Sequence, residues 1–332
     1  MEQRTLGRTG RTVSVVGLGT WQLGADWGEV SEEQALEVLA AAVEEGVPFL
    51  DTADVYGDGR SEQLIGRFLG QHPDRGSVTV ATKAGRRVEQ RPENYTLANL
   101  RAWTDRSRRN LGVDTLDLVQ LHCPPTAVYD DDQVFDALDT LVDEGAIAAY
   151  GVSVELVAEA LRAVQRPGVS TVQIIANAFR LKPLEEFFPV AQEAGVGIVV
   201  RVPLASGLLS GRYDETTTFA ENDHRTYNRG GEAFDVGETF SGVDYETGVR
   251  AAKEFSALVA EQAPDGVTPA QAAIAWLCQQ PAVSTVIPGA RNVRQARSNA
   301  AAGRVAPLGQ PFEDGVRRIY DEHLRASIHP RW

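Results

Sequence analysis

GLGTWQLG, residues 17–24, follows the first strand-like run and decides between two folds. An open dinucleotide-binding sheet would carry G-x-G-x-x-G in this turn and pass straight into a helix. Neither holds here. The spacing differs, and the next helix-like stretch starts only at Ser31, with Glu32 and Glu33 in its first turn and Gly46 beyond its end. Working outward, the apolar runs are VSVVGLG (13–19), VPFLDTA (47–53), SVTVATK (77–83), LDLVQLH (116–122), AIAAYGVS (146–153), TVQIIAN (171–177), VGIVVRV (196–202) and VSTVIPG (283–289). Each is short and nearly continuous, as parallel strands covered on both faces require. Helical periodicity occupies 61–69, 96–110, 132–144, 155–164, 184–194, 246–262 and 292–302, and Thr268-Pro269 opens another helix over 268–279.

Eight alternations predict an α/β fold of the (β/α)8 barrel type, with a doubly wound open sheet as the alternative. Residues 1–12, with Gly7 and Gly10, read as a β-hairpin closing the barrel bottom. Residues 205–245 form a long polar loop after the seventh strand, a length that usually serves function. The expectation is one domain over residues 1–332.

The net charge is −14, from 46 acidic and 32 basic residues. A phosphate-rich partner is repelled on average, so neither a nucleic acid nor a membrane surface is the expected partner. No apolar run approaches the roughly 20 residues that span a bilayer, and MEQRTLGRTG has no apolar signal core. Cys123 and Cys278 lie in or beside apolar runs and read as buried, reduced thiols, which fits a cytoplasmic setting. Nothing in the sequence sets an oligomeric state.

Barrel chemistry sits at the C-terminal ends of strands. Asp51 closes the apolar stretch VPFL, Lys83 and His122 end their runs, and Tyr56 lies in the loop after Asp51. A phenol titrates near 10, too high for acid–base work at neutral pH without help. At about 4 Å and an effective dielectric near 20, an ammonium attracts a phenolate by about 4 kcal/mol before desolvation losses. Lys83 is therefore expected to lower the Tyr56 pKa, with Asp51 as its counter-charge. Neutral His122 is expected to donate to a carbonyl oxygen. His72, His122, His224, His323 and His329 form no pair at metal-ligand spacing, so no metal is expected.

These residues sit in stretches that resemble the aldo-keto reductase superfamily: FLDTADVYGDGRSEQLIG (49–66), VATKAG (80–85), LDLVQLHCP (116–124), GVS (151–153), VQIIAN (172–177), PLASGLLSGRY (203–213) and VIPGAR with Gln295 and Asn299 (286–299). The long 205–245 segment and GARNVRQ resemble the bacterial branch related to potassium-channel β subunits. The resemblance implies hydride exchange between a nicotinamide cofactor, NADPH in preference to NADH, and a small-molecule carbonyl or alcohol. It implies a tetrad of Asp51, Tyr56, Lys83 and His122, with Tyr56 as general acid/base. It places Gly19, Thr20 and Trp21 beside the nicotinamide, with Asp51 nearby, and Ser153 and Gln173 on its carboxamide. Pro203, Leu204, Ser206, Leu208, Ser210 and Arg212 would follow the pyrophosphate. Gly289, Ala290, Arg291, Gln295 and Asn299 would hold the adenosine end. Trp21, Trp27, Tyr56, His122 and Cys123 would face the substrate.

The sequence departs from the family pattern at Val154, where an asparagine is usual, and at Gly289, Gln295 and Ser298. Arg291 then becomes the expected reader of a 2′-phosphate. Arg201 stands where an aromatic often stacks on the nicotinamide. It is expected either to tune that ring or to contact an acidic substrate, the plainer reading being a pair with a nearby carboxylate. His224, Arg225, Tyr227 and Arg229 read as solvated loop residues or as a polar mouth. Alternatives of other classes are a cofactor-binding regulatory subunit with little turnover and a Schiff-base lyase using Lys83.

Overall fold

A computed structural model describes residues 1–24, 30–221 and 223–332. The chain opens with a hairpin of β1 (Gln3–Thr5) and β2 (Thr12–Ser14), paired antiparallel. There follow β3 (Leu18–Gly19), α1 (Glu32–Glu44), β4 (Phe49–Asp51), α2 (Arg60–Gln71), β5 (Thr79–Ala84), α3 (Leu97–Leu111), β6 (Leu118–His122), α4 (Asp132–Asp143), β7 (Tyr150–Ser153), α5 (Val157–Val164), β8 (Val169–Ile175), α6 (Phe188–Glu193) and β9 (Gly197–Arg201). After a strap over 205–245, which holds the single turn α7 (His224–Tyr227), come α8 (Tyr245–Gln262), α9 (Pro269–Cys278), β10 (Val283–Val286), α10 (Val293–Ala302) and α11 (Gln310–His323).

Strands β3 to β10 pair in parallel in chain order. Parallel bridges Val16–Val286 and Gly19–Gly289 join the first edge to the last. The result is the expected (β/α)8 barrel, closed at its bottom by the hairpin. Leu6 and Val13 pack there with Phe49, Ala81, Leu118, Ala149, Val199 and Ile287 as a buried cluster of their own. The approach is close: a Cβ on Gly7 would stand 2.1 Å from the Gly197 nitrogen, so only glycine fits.

Local chemistry explains the helices. Ser31 and Gln34 form a capping box on α1, and Thr268 and Gln271 form one on α9 with Pro269 in the first turn. Three readings change. The run 13–19 is split: Thr12–Ser14 serves the hairpin and only Leu18–Gly19 enters the barrel. The stretch 184–194 begins as a π-type turn over Pro183–Phe187 before α6. Helix α11 was not anticipated, although Phe312, Val316, Ile319 and Tyr320 line one buried face of it. No helix among the described residues is long and apolar enough to cross a membrane.

Candidate active site

Side chains alternate along a strand, so the residues two or four beyond the bottom cluster also face the barrel axis. Phe49 is followed by Asp51, Ala81 by Lys83, Leu118 by Gln120 and His122, Ala149 by Ser153, and Val199 by Arg201. The apolar plug therefore gives way to a polar layer at the C-terminal mouth. Register sets Lys83 beside Gln120, His122 beside Ser153 and Ser153 beside Gln173.

Above that layer opens a cleft of about 430 Å³. At its floor the Lys83 ammonium donates to Asp51 Oδ2 at 2.5 Å, to the Thr52 carbonyl at 2.8 Å and to the Tyr56 hydroxyl at 3.4 Å. Asp51 Oδ1 accepts from Gln173 at 2.7 Å and Gln120 at 3.3 Å. The buried cation and carboxylate are thus paired and further hydrogen-bonded, which offsets the cost of burying them. The Tyr56 ring stacks on Trp21, 6.0 Å between centroids, and meets His122 edge-on at 6.0 Å.

Electrostatics here differ from expectation in one respect. Burial pushes the Tyr56 phenol above its ordinary value, outweighing the pull of Lys83, with Asp51 and Glu238 adding to the upward push. The expected lowering is reversed because desolvation of the phenolate is the larger effect. Tyr56 is therefore protonated, ready to give a proton. Burial also opposes charge on Lys83, but Asp51 and Tyr56 more than offset it, and its pKa stands above the ordinary lysine value. Burial, with Arg86, Lys83 and Arg201 nearby, holds His122 well below its usual range, so it is neutral as expected.

The structure brings most of the expected residues to one cleft: Gly19, Thr20, Trp21, Asp51, Tyr56, Lys83, His122, Ser153, Gln173, Arg201, Pro203, Leu204, Ser206, Ser210, Arg212, Gly289, Arg291 and Gln295 all line it. Others do not line it. Leu208 is buried and packs on Gly248 of α8. Ala290 is buried, and Asn299 donates to the Gly289 carbonyl. Cys123 is buried against Ser153, and burial pushes its thiol up to about 12, which works against a thiolate nucleophile. Trp27 lies outside the described residues. The Ser206 hydroxyl donates to the Glu238 carbonyl and that of Ser210 to the Gly207 carbonyl, so both hold the strap.

Arg201 follows the plainer reading. It is 8 % exposed and engaged by two carboxylates, Glu155 at 3.0 Å and Glu238. His224, Arg225 and Tyr227 line the cleft; His224 is buried and Arg225 half-buried, which favours the polar-mouth reading for these two, whereas Tyr227 is exposed. Arg229 instead lies over the Phe240 and Tyr245 rings. Sequence reasoning missed Gln120, Arg86, Phe234 and Glu238. Gln120 was legible, since it alternates with Leu118 and His122. The others are placed by contacts distant in sequence.

The donor set suits a long cofactor with an amide at one end and phosphates along the rest. Ser153 offers a hydroxyl beside His122 and Gln173, whose amide nitrogen serves Asp51, offers its amide oxygen, whereas Arg212 and the exposed Arg291 offer cations. Between them Val202, Ala205, Ser206 and Gly207 all take positive φ. Main chain turned this way forms concavities that suit anions, and each such non-glycine residue costs about 1–3 kcal/mol, strain that clusters at binding sites. A Cβ at Gly289 would stand 2.2 Å from the Gln22 amide, so a larger residue there would need that side chain to shift.

Among the described residues one group has metal-ligand types close together, Glu254, Glu322 and His323. It lies outside the cleft, and Arg318 contacts both glutamates.

Comparison with known proteins agrees with this geometry. The model of the Aldo/keto reductase family matches residues 15–316. An uncharacterised oxidoreductase of Bacillus subtilis, YqkF, is 29% identical over 332 residues, covering 98% of this chain and 95% of its own. A probable voltage-gated potassium channel subunit beta of Oryza sativa is 32% identical, covering 94% of each chain. The glycerol dehydrogenase of Gluconobacter oxydans superposes with a TM-score of 0.81 at 28% identity, covering 99% of this chain and 98% of that one. A family match over most of the residues, together with the barrel, places this chain in the aldo/keto reductase family.

Proposed function

We propose that the chain is a single-domain, cytoplasmic enzyme that interconverts a small carbonyl compound and its alcohol by hydride exchange with a nicotinamide cofactor. The observation that carries this reading is the floor of the cleft, where a protonated phenol is bonded to a buried, charged lysine beside a neutral histidine. The cofactor would supply the hydride. Tyr56 gives the proton to the developing alkoxide, and Lys83 stabilises the phenolate left behind. Asp51 keeps Lys83 charged and aimed, and its other oxygen is fixed by Gln120 and Gln173. His122, being neutral, donates to the same substrate oxygen and sets its angle.

Gly19, Thr20, Trp21, Ser153 and Gln173 would hold the nicotinamide head, and the 203–212 turn the phosphates. Gly289, Arg291 and Gln295 would hold the adenosine end. Arg291 on this edge favours NADPH over NADH, because a guanidinium matches a phosphate in two-pronged hydrogen bonding.

The test is a panel of aldehydes, ketones and alcohols, followed by cofactor absorbance with NADPH and with NADH. Turnover of at least one substrate class is expected, and Arg291→Ala should lower kcat/KM about tenfold with NADPH and little with NADH. Cofactor binding with no turnover across the panel would instead favour a regulatory subunit. Equal losses with both cofactors would remove Arg291 as the phosphate reader.

A further inference from the structure

The end of the cleft next to Tyr56 and His122 holds more charge than the proposed reaction uses. Arg86 donates to the His122 carbonyl at 3.1 Å and reaches Glu155 at 3.4 Å. Arg201 reaches the other Glu155 oxygen at 3.0 Å, the Val154 carbonyl at 3.0 Å and the Glu238 carboxylate. Although burial works against it, Arg201 and Arg86 hold the Glu155 carboxyl below its ordinary range. Both guanidiniums are therefore already matched by carboxylates. Behind them Arg180, fully buried, faces Asp235 and donates to the Glu155 carbonyl. Glu238 itself lines the cleft, and its charge reaches the Tyr56 phenol.

Glu238 is not free to swing away. It arrives on the strap, and that part of the strap is pinned from two sides. The Ser206 hydroxyl donates to the Glu238 carbonyl at 2.6 Å and accepts from the Phe240 amide at 3.1 Å. The Trp332 indole donates to Asp235 at 3.2 Å and stacks on Arg180 at 4.3 Å. A Cβ on Gly242 would stand 2.3 Å from that indole, so the ring packs directly on strap backbone. The cleft also has an aromatic lining: Trp21 meets Phe234 edge-on at 5.7 Å.

We propose that Glu238, locked to Arg201, is a specificity-determining residue that makes the substrate end of the cleft reject carboxylate-bearing carbonyl compounds and accept neutral ones. This rests on the reading of the cleft as a carbonyl-reducing site. A carboxylate entering beside Tyr56 meets a fixed like charge, and Arg86 and Arg201 are each already bonded to a carboxylate of the protein. Specificity built in this way is repulsion against the wrong substrate as much as attraction to the right one. A neutral substrate meets the aromatic lining and hydrogen-bonding groups without that penalty. Removing the Glu238 charge releases one edge of Arg201 and turns the same end of the cleft attractive to anions.

The probe pair is 4-formylbenzamide and 4-carboxybenzaldehyde, which share ring and shape and differ by one charge. With NADPH, wild-type kcat/KM should favour the amide by about 100-fold, the scale of a like-charge contact. Glu238→Gln should shrink that ratio at least tenfold, and adding Arg201→Leu should bring it only part of the way back, because the liberated cation is gone but the repelling carboxylate is gone as well. A wild-type ratio near one overturns the proposal, as does a ratio that Glu238→Gln leaves unchanged. The wild-type comparison needs no variant, so a misfolded Glu238→Gln does not protect the idea. If neither aldehyde turns over, the functional reading is judged separately by the wider substrate panel, and the specificity is read by calorimetry. The amide should bind the NADPH-loaded protein more tightly than the carboxylate; equal binding sinks the proposal.

Discussion

The floor of the cleft and its strap wall are built by opposite means. At the floor, Asp51, Lys83, Gln120 and His122 project from adjacent strands whose register is set by the barrel. Each side chain is aimed by backbone pairing and by the two-residue period. On the wall, Glu238 and Phe234 ride on a segment with little regular structure of its own, held by individual side chains such as Ser206 and Trp332. The floor resists change because the whole barrel defines it. The wall depends on a few contacts that one substitution can remove. Chemistry shared across a family suits the first, and substrate choice suits the second.

Trp332→Ala breaks the wall alone. The indole is 5 % exposed, and deleting it should cost about 3 kcal/mol of stability. It should also raise KM for substrate and cofactor more than it lowers kcat, as thermal unfolding and steady-state kinetics will show. A fall in kcat at unchanged KM would mean that the strap's anchor acts on the floor instead.

Asp54 sharpens the comparison from the other side. It is fully buried between Asp51 and Tyr56 in sequence, and its amide donates to the Lys83 carbonyl. Burial, with Glu62 adding to it, raises its pKa from 3.8 to about 7. The folded state therefore keeps a proton that the unfolded state has lost between about pH 4 and 7. Stability falls as pH rises through that window, and above it the full penalty stands. The shift corresponds to on the order of 4 kcal/mol, of which relaxation leaves on the order of 1–2. Asp54→Asn should be more stable than wild type at pH 8 and should lose less Tm between pH 5 and pH 8. Parallel Tm profiles would show that this carboxyl is not protonated in the folded state.

The same contrast explains what could be read from the sequence. The turn at 17–24, the strand-end polar residues and the Ser31 and Thr268 caps are local patterns, and local patterns survive in one dimension. The ion pair of Arg201 with Glu238 spans 37 residues, and the Trp332 contact with Asp235 spans 97. Neither leaves a local signature, so the sequence left Arg201 open between tuning the ring, meeting an acidic substrate and pairing with a carboxylate, and could not name the partner. The Tyr56 shift was misjudged for a related reason: charge neighbours can be inferred from motifs, but depth of burial cannot. Helix α11 is different, since its apolar spacing was there to be seen.

The central claim is that the protonated Tyr56 hydroxyl, and not merely a shaped cleft, drives turnover. Tyr56→Phe removes one oxygen and keeps the ring on Trp21. With a carbonyl substrate found in the panel, kcat should fall by about 10³-fold, while NADPH binding measured by fluorescence titration stays within about twofold. Turnover retained within tenfold of wild type at unchanged NADPH affinity would contradict the account.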